Sequence, residues 1–414
     1  MRKWRLITQC RSCRGPLSTS LLDLGRMPLA NRLLDPAAAS AEEPTYPLHV
    51  RVCGDCLLAQ HDLAITPEIL FSDYVYFSSM SQAWVAHAHE LVDRAVARFN
   101  LTADDFVVEI ASNDGYLLRH VVERGIPALG IEPAANVAEA ARAAGVPTDC
   151  RFFSLATARA LVRKRRPATL VIANNVLAHV PRLNDFLAGV AVLLKPGGTF
   201  IAEFPHLLEL MRSTELDTVY HEHFFYFSLR ALEPALARAG LQLFDVERLP
   251  THGGSLRIFA GHAAQKRPQM PGVAEVRAAE DVAGLDRLET YAGFAAKAEP
   301  VRRSLRRFLA EARAAGKRVA GFGAAAKGTT LLNYCGATAA DLAFVVDQTP
   351  AKIGKLLPGC RIPVVGLDRL HAEHPDLILI LPWNHKDEIV AKLRFARDWG
   401  CRFAVAVPFT TLLL

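Results

Sequence analysis

From Phe106 onward, short apolar runs alternate with stretches of helical periodicity, and no other feature of the sequence restricts the fold as much. Val107 to Ala111, Ala128 to Glu132, Leu170 to Asn174 and Phe200 to Phe204 read as strands separated by helical stretches. Strands joined by helical crossovers form a mostly parallel sheet with helices on its faces, so the predicted class is α/β. Leu241 to Glu247 and Ser255 to Ala260 flank the turn residues Pro250 to Gly254 and read as an antiparallel closing pair. Residues 272–315, rich in Ala, Arg and Glu, read as one or two connecting helices. The rhythm then restarts with Arg318 to Phe322, Leu342 to Asp347 and Asp376 to Leu381, which predicts a second nucleotide-binding-like sheet.

With 414 residues and roughly 150 per domain, two or three domains are expected. Apolar residues at 51% and charged ones at 22% exclude a disordered tail, a collagen-like chain and a small disulfide scaffold. Lys and Arg outnumber Asp and Glu by 48 to 42, a formal +6 that favours anionic ligands. The densest basic cluster, Arg163 to Arg166, follows Leu155, Ala158 and Val162 at helical spacing and reads as the solvated end of a helix rather than a nucleic-acid contact. No apolar stretch approaches a membrane span, and Met1 to Gln9 has no apolar core of a signal peptide. A soluble, cytoplasmic protein is expected.

Residues 1 to about 60 stand apart, with Pro and Ala clusters, little regular periodicity and two Cys-x-x-Cys knuckles, Cys10/Cys13 and Cys53/Cys56. Gly15 and Gly54 supply backbone freedom for tight turns, and four thiolates make a closed tetrahedral zinc site, structural rather than catalytic. Cys150, Cys335, Cys360 and Cys401 are expected to be reduced, mostly buried small apolar residues.

Three further segments carry chemistry. Val107 to Gly115 (VVEIASNDG) sets a strand before a polar turn and a helix start, with Glu132 at the tip of the next strand, where an acid can accept both ribose hydroxyls. Flavodoxin-like and dehydrogenase sheets share that geometry. Thr218 to Tyr226 (TVYHEHFFY) gathers His221, Glu222, His223, Tyr220 and Tyr226 beyond a strand end. It suits a His-x-His metal pair with Glu222, an aromatic core, or acid/base chemistry. His179, after Asn174 and Asn175 on the same predicted sheet edge, favours a reaction site. In Gly321 to Thr330 (GFGAAAKGTT), backbone amides and Lys327 can cradle a diphosphate, although a glycine loop with Asp347 on the next strand also fits NAD.

Taken together, the four-cysteine module, the SSMS run after Tyr74 and Tyr76, EIASNDGYLL, NNVLAHV, EFPH, YHEHFFYFS, HGGSLR, GFGAAAKGTTLLNY and PWNHKDEI extend essentially end to end. In this combination the sequence resembles the S-adenosylmethionine-dependent C-methyltransferases that act on nucleotide-linked keto-deoxysugars. The resemblance implies a zinc-binding module (1–68), a class I methyltransferase Rossmann-like domain (69–270), and a helical connection with a C-terminal Rossmann-like domain for the nucleotide-sugar (271–414). Glu109, Ala111, Asn113, Asp114 and Gly115 would meet S-adenosylmethionine, Glu132 its ribose, and Asn174 and Asn175 its reacting end. Tyr74, Tyr76, Glu203, His206 and His252 would touch the sugar, and Lys327, Thr329 and Asn333 the nucleotide.

The implied reaction removes a proton beside the ketone of a dTDP-type 4-keto-deoxysugar, at C3, and methylates that carbon. His223 would be the base, Tyr220 would stabilise the oxyanion, Glu222 would orient an imidazole or bind a hydroxyl, and His179 would line the pocket. The implied protein is a monomer or small homo-oligomer whose partners include neither nucleic acid nor membrane. Its rivals are transfer to another position or heteroatom, a nicotinamide oxidoreductase, and a zinc-ribbon nucleic-acid binder.

Overall fold

The computed structural model describes residues 4–38, 40–66, 69–70 and 77–413. The N-terminal part carries five strands: β1 (Trp4–Leu6), β2 (Leu17–Met27), β3 (Tyr46–Cys53), β4 (Ala59–His61) and β5 (Leu63–Ile65). β2, β3 and β4 pair antiparallel, and β1 pairs with β5. Tyr46, Leu48, Val50 and Val52 are buried along one face of β3, a two-residue alternation that corrects the reading of this region as without regular periodicity.

The central part contributes β6 (Val107–Ile110), β7 (Ala128–Ile131), β8 (Thr148–Asp149), β9 (Ala168–Asn174), β10 (Leu194–Pro205), β11 (Phe225–Tyr226), β12 (Leu241–Leu249) and β13 (Ser255–His262). Seven of these form one sheet in the order β12-β13-β10-β9-β6-β7-β8. β10, β9, β6, β7 and β8 run parallel, while β13 and β12 close the edge antiparallel, as the turn at Pro250 to Gly254 requires. Both faces are covered. Val108, Ile110, Val171 and Phe200 pack with Leu187 and Val190, whereas Val107, Leu170, Ile172 and Ile201 pack with Leu91 and Leu118. The strand order reverses between β6 and β9, so the chain opens a crevice at their C-terminal ends. This is the class I methyltransferase Rossmann-like arrangement. β11 does not join it: Phe225 and Tyr226 pair with Gln60 and Ala59 of β4 and complete the N-terminal sheet.

The connection contains three helices, Pro271–Val282, Leu288–Ala292 and Ala295–Ala314, rather than one or two. Gly284, at φ 76°, breaks the run after the first, where a side chain would be strained. The C-terminal sheet has β14 (Val319–Phe322), β15 (Val345–Val346), β16 (Val364–Val365), β17 (Leu377–Ile380), β18 (Arg402–Val405) and β19 (Thr411–Leu413) in the order β16-β15-β14-β17-β18-β19. All but β19 are parallel. Of the predicted strand Leu342 to Asp347 only Val345–Val346 pairs as a strand. Arg163 and Lys164 do close a helix, Leu155–Lys164, with exposed side chains. Cys335 and Cys401 are buried as expected, but Cys150 is exposed. No helix among the described residues is long and apolar enough to cross a membrane.

One buried carboxylate ties the connection to the central unit. Glu280, fully buried, accepts hydrogen bonds from the Leu229 and Arg230 amides at the start of the helix Leu229–Arg238, at 2.6 and 3.0 Å, and lies 2.8 Å from His206 Nε2. The negative charge sits where the helix dipole and the open amides favour it. Glu280→Ala leaves those amides and a buried imidazole without a partner, and urea denaturation is expected to show a loss of about 3 kcal/mol.

Candidate active site and metal centre

The two cysteine knuckles have the same backbone. Arg14 N donates to Cys10 O and Leu57 N to Cys53 O, both at 3.1 Å, and the residues that take left-handed φ are Arg14 (71°) and Leu57 (58°), not the glycines. Gly15 and Gly54 serve close approach instead: a Cβ on Gly15 would lie 2.2 Å from Asp55 Oδ2, and one on Gly54 would lie 3.0 Å from Ser18 Oγ. The four Sγ atoms lie within 4.8 Å of one another, with Cys10–Cys56 at 3.7 Å and Cys13–Cys53 at 3.4 Å. Zinc–sulfur bonds of about 2.3 Å in a tetrahedron put sulfurs about 3.8 Å apart, so the cluster fits the ion. Gln60 Nε2 and Ser12 N point at Cys10 Sγ at 3.1 and 3.3 Å, hydrogen bonds suited to a thiolate. With no ligand position left for substrate, the zinc is structural.

At the crevice, Ala111 (φ 54°), Asn113 (φ 50°) and Gly115 (φ 78°) give the loop after β6 its tight path. Asn113 Oδ1 accepts from Ser78 N at 2.9 Å and Asp114 Oδ2 from Ser79 N at 3.1 Å, so the serine run docks on the loop. Glu132 Oε2 accepts from Asn113 N at 3.0 Å and Oε1 from Ala134 N at 2.9 Å, which holds its carboxyl across the loop. Glu109 is buried, and burial together with Glu132 and Asp114 pushes its carboxyl well above the usual range. Among the described residues, Glu109 Oε2, Ser112 Oγ, Asp114 Oδ1, Asn174 Oδ1 and Asn175 Nδ2 have no hydrogen-bond partner. Unsatisfied polar atoms gathered at one sheet edge suit a ligand with hydroxyl, amino and carboxyl groups, and S-adenosylmethionine carries all three.

The loop after the short helix Leu207–Arg212 carries the histidines. His223 Nδ1 lies 2.9 Å from the Thr218 carbonyl; its ring centroid is 4.0 Å from Tyr220 and 4.8 Å from His179. Burial, with His179 and Lys327 adding to it, holds His223 well below the ordinary imidazole range. Burial takes His179 down to about 4, while its ring hydrogen-bonds the Glu222 backbone. The Glu222 carboxyl meets no imidazole. Both its oxygens accept from Asn31 Nδ2, at 2.8 and 2.9 Å, and burial pushes it up to about 7 against that bond. His221 turns away toward the N-terminal module, its Nε2 3.3 Å from Tyr46 O.

The remaining sugar and nucleotide candidates separate. Glu203, fully buried, is taken up by His87 at 2.9 Å, Arg257 at 3.1 Å and Thr251 at 3.1 Å, and His206 by Glu280. Both thus already have partners within the protein. His252, at φ 58°, stands beside Trp84 with ring centroids 5.4 Å apart. Lys327 Nζ lies 4.7 Å over the Trp383 ring, buried without a hydrogen-bond partner among the described residues, and opposes the upward push of burial on Glu215 (about 7) and Asp217. Thr329 hydroxyl bonds back to Ala325 O, and Asn333 donates to Thr329 O and Pro358 O, so both face their own unit. Asp347 likewise closes the glycine loop by accepting from Ala324 N. Tyr74 and Tyr76 lie outside the described residues. The sequence reading missed Asn31, His87, Asp217, Arg257 and Trp383. Only Arg257 and Trp383 fall inside motifs it had singled out.

Three family assignments tile the chain: a zinc binding domain over residues 10–71, a methyltransferase domain over 84–246 and a C-methyltransferase C-terminal domain over 250–408. The chain is 37% identical to the C-methyltransferase NovU of Streptomyces niveus over 404 residues, 98% of this chain and 96% of that one. The chain belongs to the C-methyltransferase family. It is accordingly an S-adenosylmethionine-dependent methyltransferase with a structural zinc site. Solved structures resemble it over less than half its length. An S-adenosylmethionine-dependent methyltransferase from Clostridium acetobutylicum aligns over 43% of this chain and 92% of its own (11% identity, TM-score 0.34). The magnesium protoporphyrin IX methyltransferase of Synechocystis with bound SAH aligns over 47% and 90% (15%, 0.35).

Two outcomes follow for this C-methyltransferase. Cys53→Ser removes one of four thiolates, and metal analysis is expected to find less than one zinc per chain together with a lower melting temperature. The Glu222 carboxyl is raised from 4.5 to about 7 on folding. Its protonated form is therefore favoured in the folded state, and the stability this gives is present at low pH and lost as pH rises through about 7. Glu222→Gln keeps the hydrogen bond without the charge. It should match wild type near pH 4.5 and exceed it near pH 8 in denaturation curves.

Proposed function

We propose that this C-methyltransferase removes a proton from the carbon beside the ketone of a nucleotide-linked 4-keto-deoxysugar, of the dTDP class and at C3, and methylates that carbon. In this reading residues 1–68, 69–270 and 271–414 act as zinc-binding, S-adenosylmethionine-binding and nucleotide-sugar-binding units. The observation that carries it is the state of His223. A carbonyl accepts and cannot donate, so the Thr218 carbonyl commits Nδ1 to its proton and leaves the lone pair on Nε2. The imidazole is also held uncharged. It is a base ready to act.

A carbon beside a ketone is a feeble acid, and two groups meet that difficulty. His223 Nε2 takes the proton, and the resulting imidazolium stands next to the enolate formed in the same step, which offsets the cost of charging a buried ring. Tyr220, packed against the His223 ring, donates to the enolate oxygen. Glu222 accepts a sugar hydroxyl and so sets which carbon faces His223, and His179 walls the pocket. Lys327, whose ammonium has no hydrogen-bond partner among the described residues, meets the diphosphate. Glu109, Asp114, Glu132 and Asn174 hold the cofactor; Glu203 and His206 brace the wall they stand on. S-adenosylmethionine, when bound, supplies an electrophilic methyl group to the carbanion. The protein's part is to hold the carbon in line and keep water out.

Mass spectrometry after incubation with S-adenosylmethionine and a panel of nucleotide-linked 4-keto-deoxysugars should find one product heavier by a methylene, and NMR should place the methyl on C3 rather than C5. No product from any sugar, with cofactor binding intact, would remove the substrate class. His223→Asn should lower kcat by about 10²-fold or more. Turnover near the wild-type rate would move the proton to another base, with His179 next to test.

A further inference from the structure

The N-terminal module reaches the Glu222 carboxyl through the side chain of Asn31. β2 ends at Met27, Leu29 and Ala30 are buried, and Leu34 exchanges two backbone hydrogen bonds with Leu356 of the C-terminal unit, each 2.9 Å. The stretch between is thus pinned at both ends, and Asn31 projects from it. Asn31 Nδ2 lies 2.8 and 2.9 Å from the two oxygens of Glu222, a residue 191 positions away. That carboxyl is buried, and among the described residues no other side chain supplies it with a hydrogen bond.

We propose that Asn31 is a positioning residue for C-methylation, and that its amide fixes the Glu222 carboxylate in the orientation that receives the sugar. The proposal rests on the substrate reading above only for what Glu222 receives. The contact itself stands without it. A carboxylate on a long side chain, buried and held by one donor, rotates when the donor is removed, so the module governs a group in the reacting pocket. Asn31 is exposed, which makes it replaceable without opening a core cavity. Among the described residues, the titratable groups nearest the Glu222 carboxyl in the chain and on the facing turn are Tyr220, His221 and His223 on its own loop and His179 on the turn Leu177–His179, whose ring hydrogen-bonds the Glu222 backbone. Lys327, on the helix Ala326–Cys335, acts on His223 from the facing unit. Arg32, next to Asn31, acts on Glu43. The bond from Asn31 favours the ionised carboxyl against burial; losing it raises the proton affinity of Glu222.

The test uses the full, zinc-loaded chain as wild type, Asn31→Ala, Glu222→Gln and the double variant. The first measurement needs no substrate. The infrared band of the protonated carboxyl, taken as wild type minus Glu222→Gln, is followed against pH and compared with the same difference in the Asn31→Ala background. A midpoint moved to higher pH is expected; an unmoved midpoint overturns the proposal. The second is steady-state kinetics with dTDP-4-keto-6-deoxyglucose. Asn31→Ala should lower kcat/KM for the sugar about tenfold with KM for S-adenosylmethionine unchanged, and should cost nothing further in the Glu222→Gln background. Independent, multiplying losses overturn it, as does an equal rise in both KM values, the mark of a loosened fold. A shifted band with a wild type inert toward every sugar of the panel keeps Asn31 on Glu222 and rejects the substrate reading instead.

Discussion

The backbone of residues 214–228 runs buried through the middle of the molecule, with Tyr220 the one half-exposed residue in it. A buried loop must find a partner for each amide and carbonyl, and this one finds them in its surroundings. Phe224 O accepts from His61 N and Phe224 N donates to Ala178 O, at 2.9 and 2.7 Å. Phe225–Tyr226 is the outer strand of the N-terminal sheet, and Phe227 O accepts from Leu207 N. On the other side Trp383 Nε1 donates to Asp217 at 2.8 Å. All three parts of the chain therefore fix the path of one loop, and that loop carries His223. An imidazole held this way has its orientation set by backbone bonds rather than by its own rotamers, which is what the proposed role of His223 as base requires.

The two sheets were legible because their signal is one of period. Val107–Ile110, Ala128–Ile131 and Ala168–Asn174 are covered on both faces, so they read as unbroken apolar runs, and the helices between them announce the crossovers. Where a strand is two residues long, as at Val345–Val346, the run around it reflects burial beyond the pairing, and the sequence overstates the strand. The three-helix connection was read as one or two because Gly284 interrupts a continuous Ala-rich pattern. The N-terminal sheet was missed for another reason. β2 carries three register irregularities against β3, which scramble the alternation a regular strand would display.

For the site, the residue types were legible and their partners were not. A cluster such as YHEHFFY announces itself by density, yet nothing in it says that His221 faces Tyr46 while His223 faces Thr218. Nor does the sequence show that Glu203 and His206 already have partners in the protein. Carboxyls and imidazoles look alike in sequence whether they await a ligand or are already neutralised, and the partners here, Arg257, His87 and Glu280, lie 54, 116 and 74 positions away. Asn31 gave no signal at all. Its meaning is a contact across 191 positions.

The outer strand Phe225–Tyr226 has a consequence for how such chains diversify. The zinc-bearing module looks like a detachable cassette along the sequence, but its sheet is finished by residues that begin two positions after His223. A recombination that joined one relative's module to another's methyltransferase core would exchange three strands and keep a foreign fourth. The mismatch would fall on the stretch that follows His223 directly. For the fourth strand to pair in register, a module moved between such chains has to bring this loop with it, so the part that seems easiest to move is not separable at this edge.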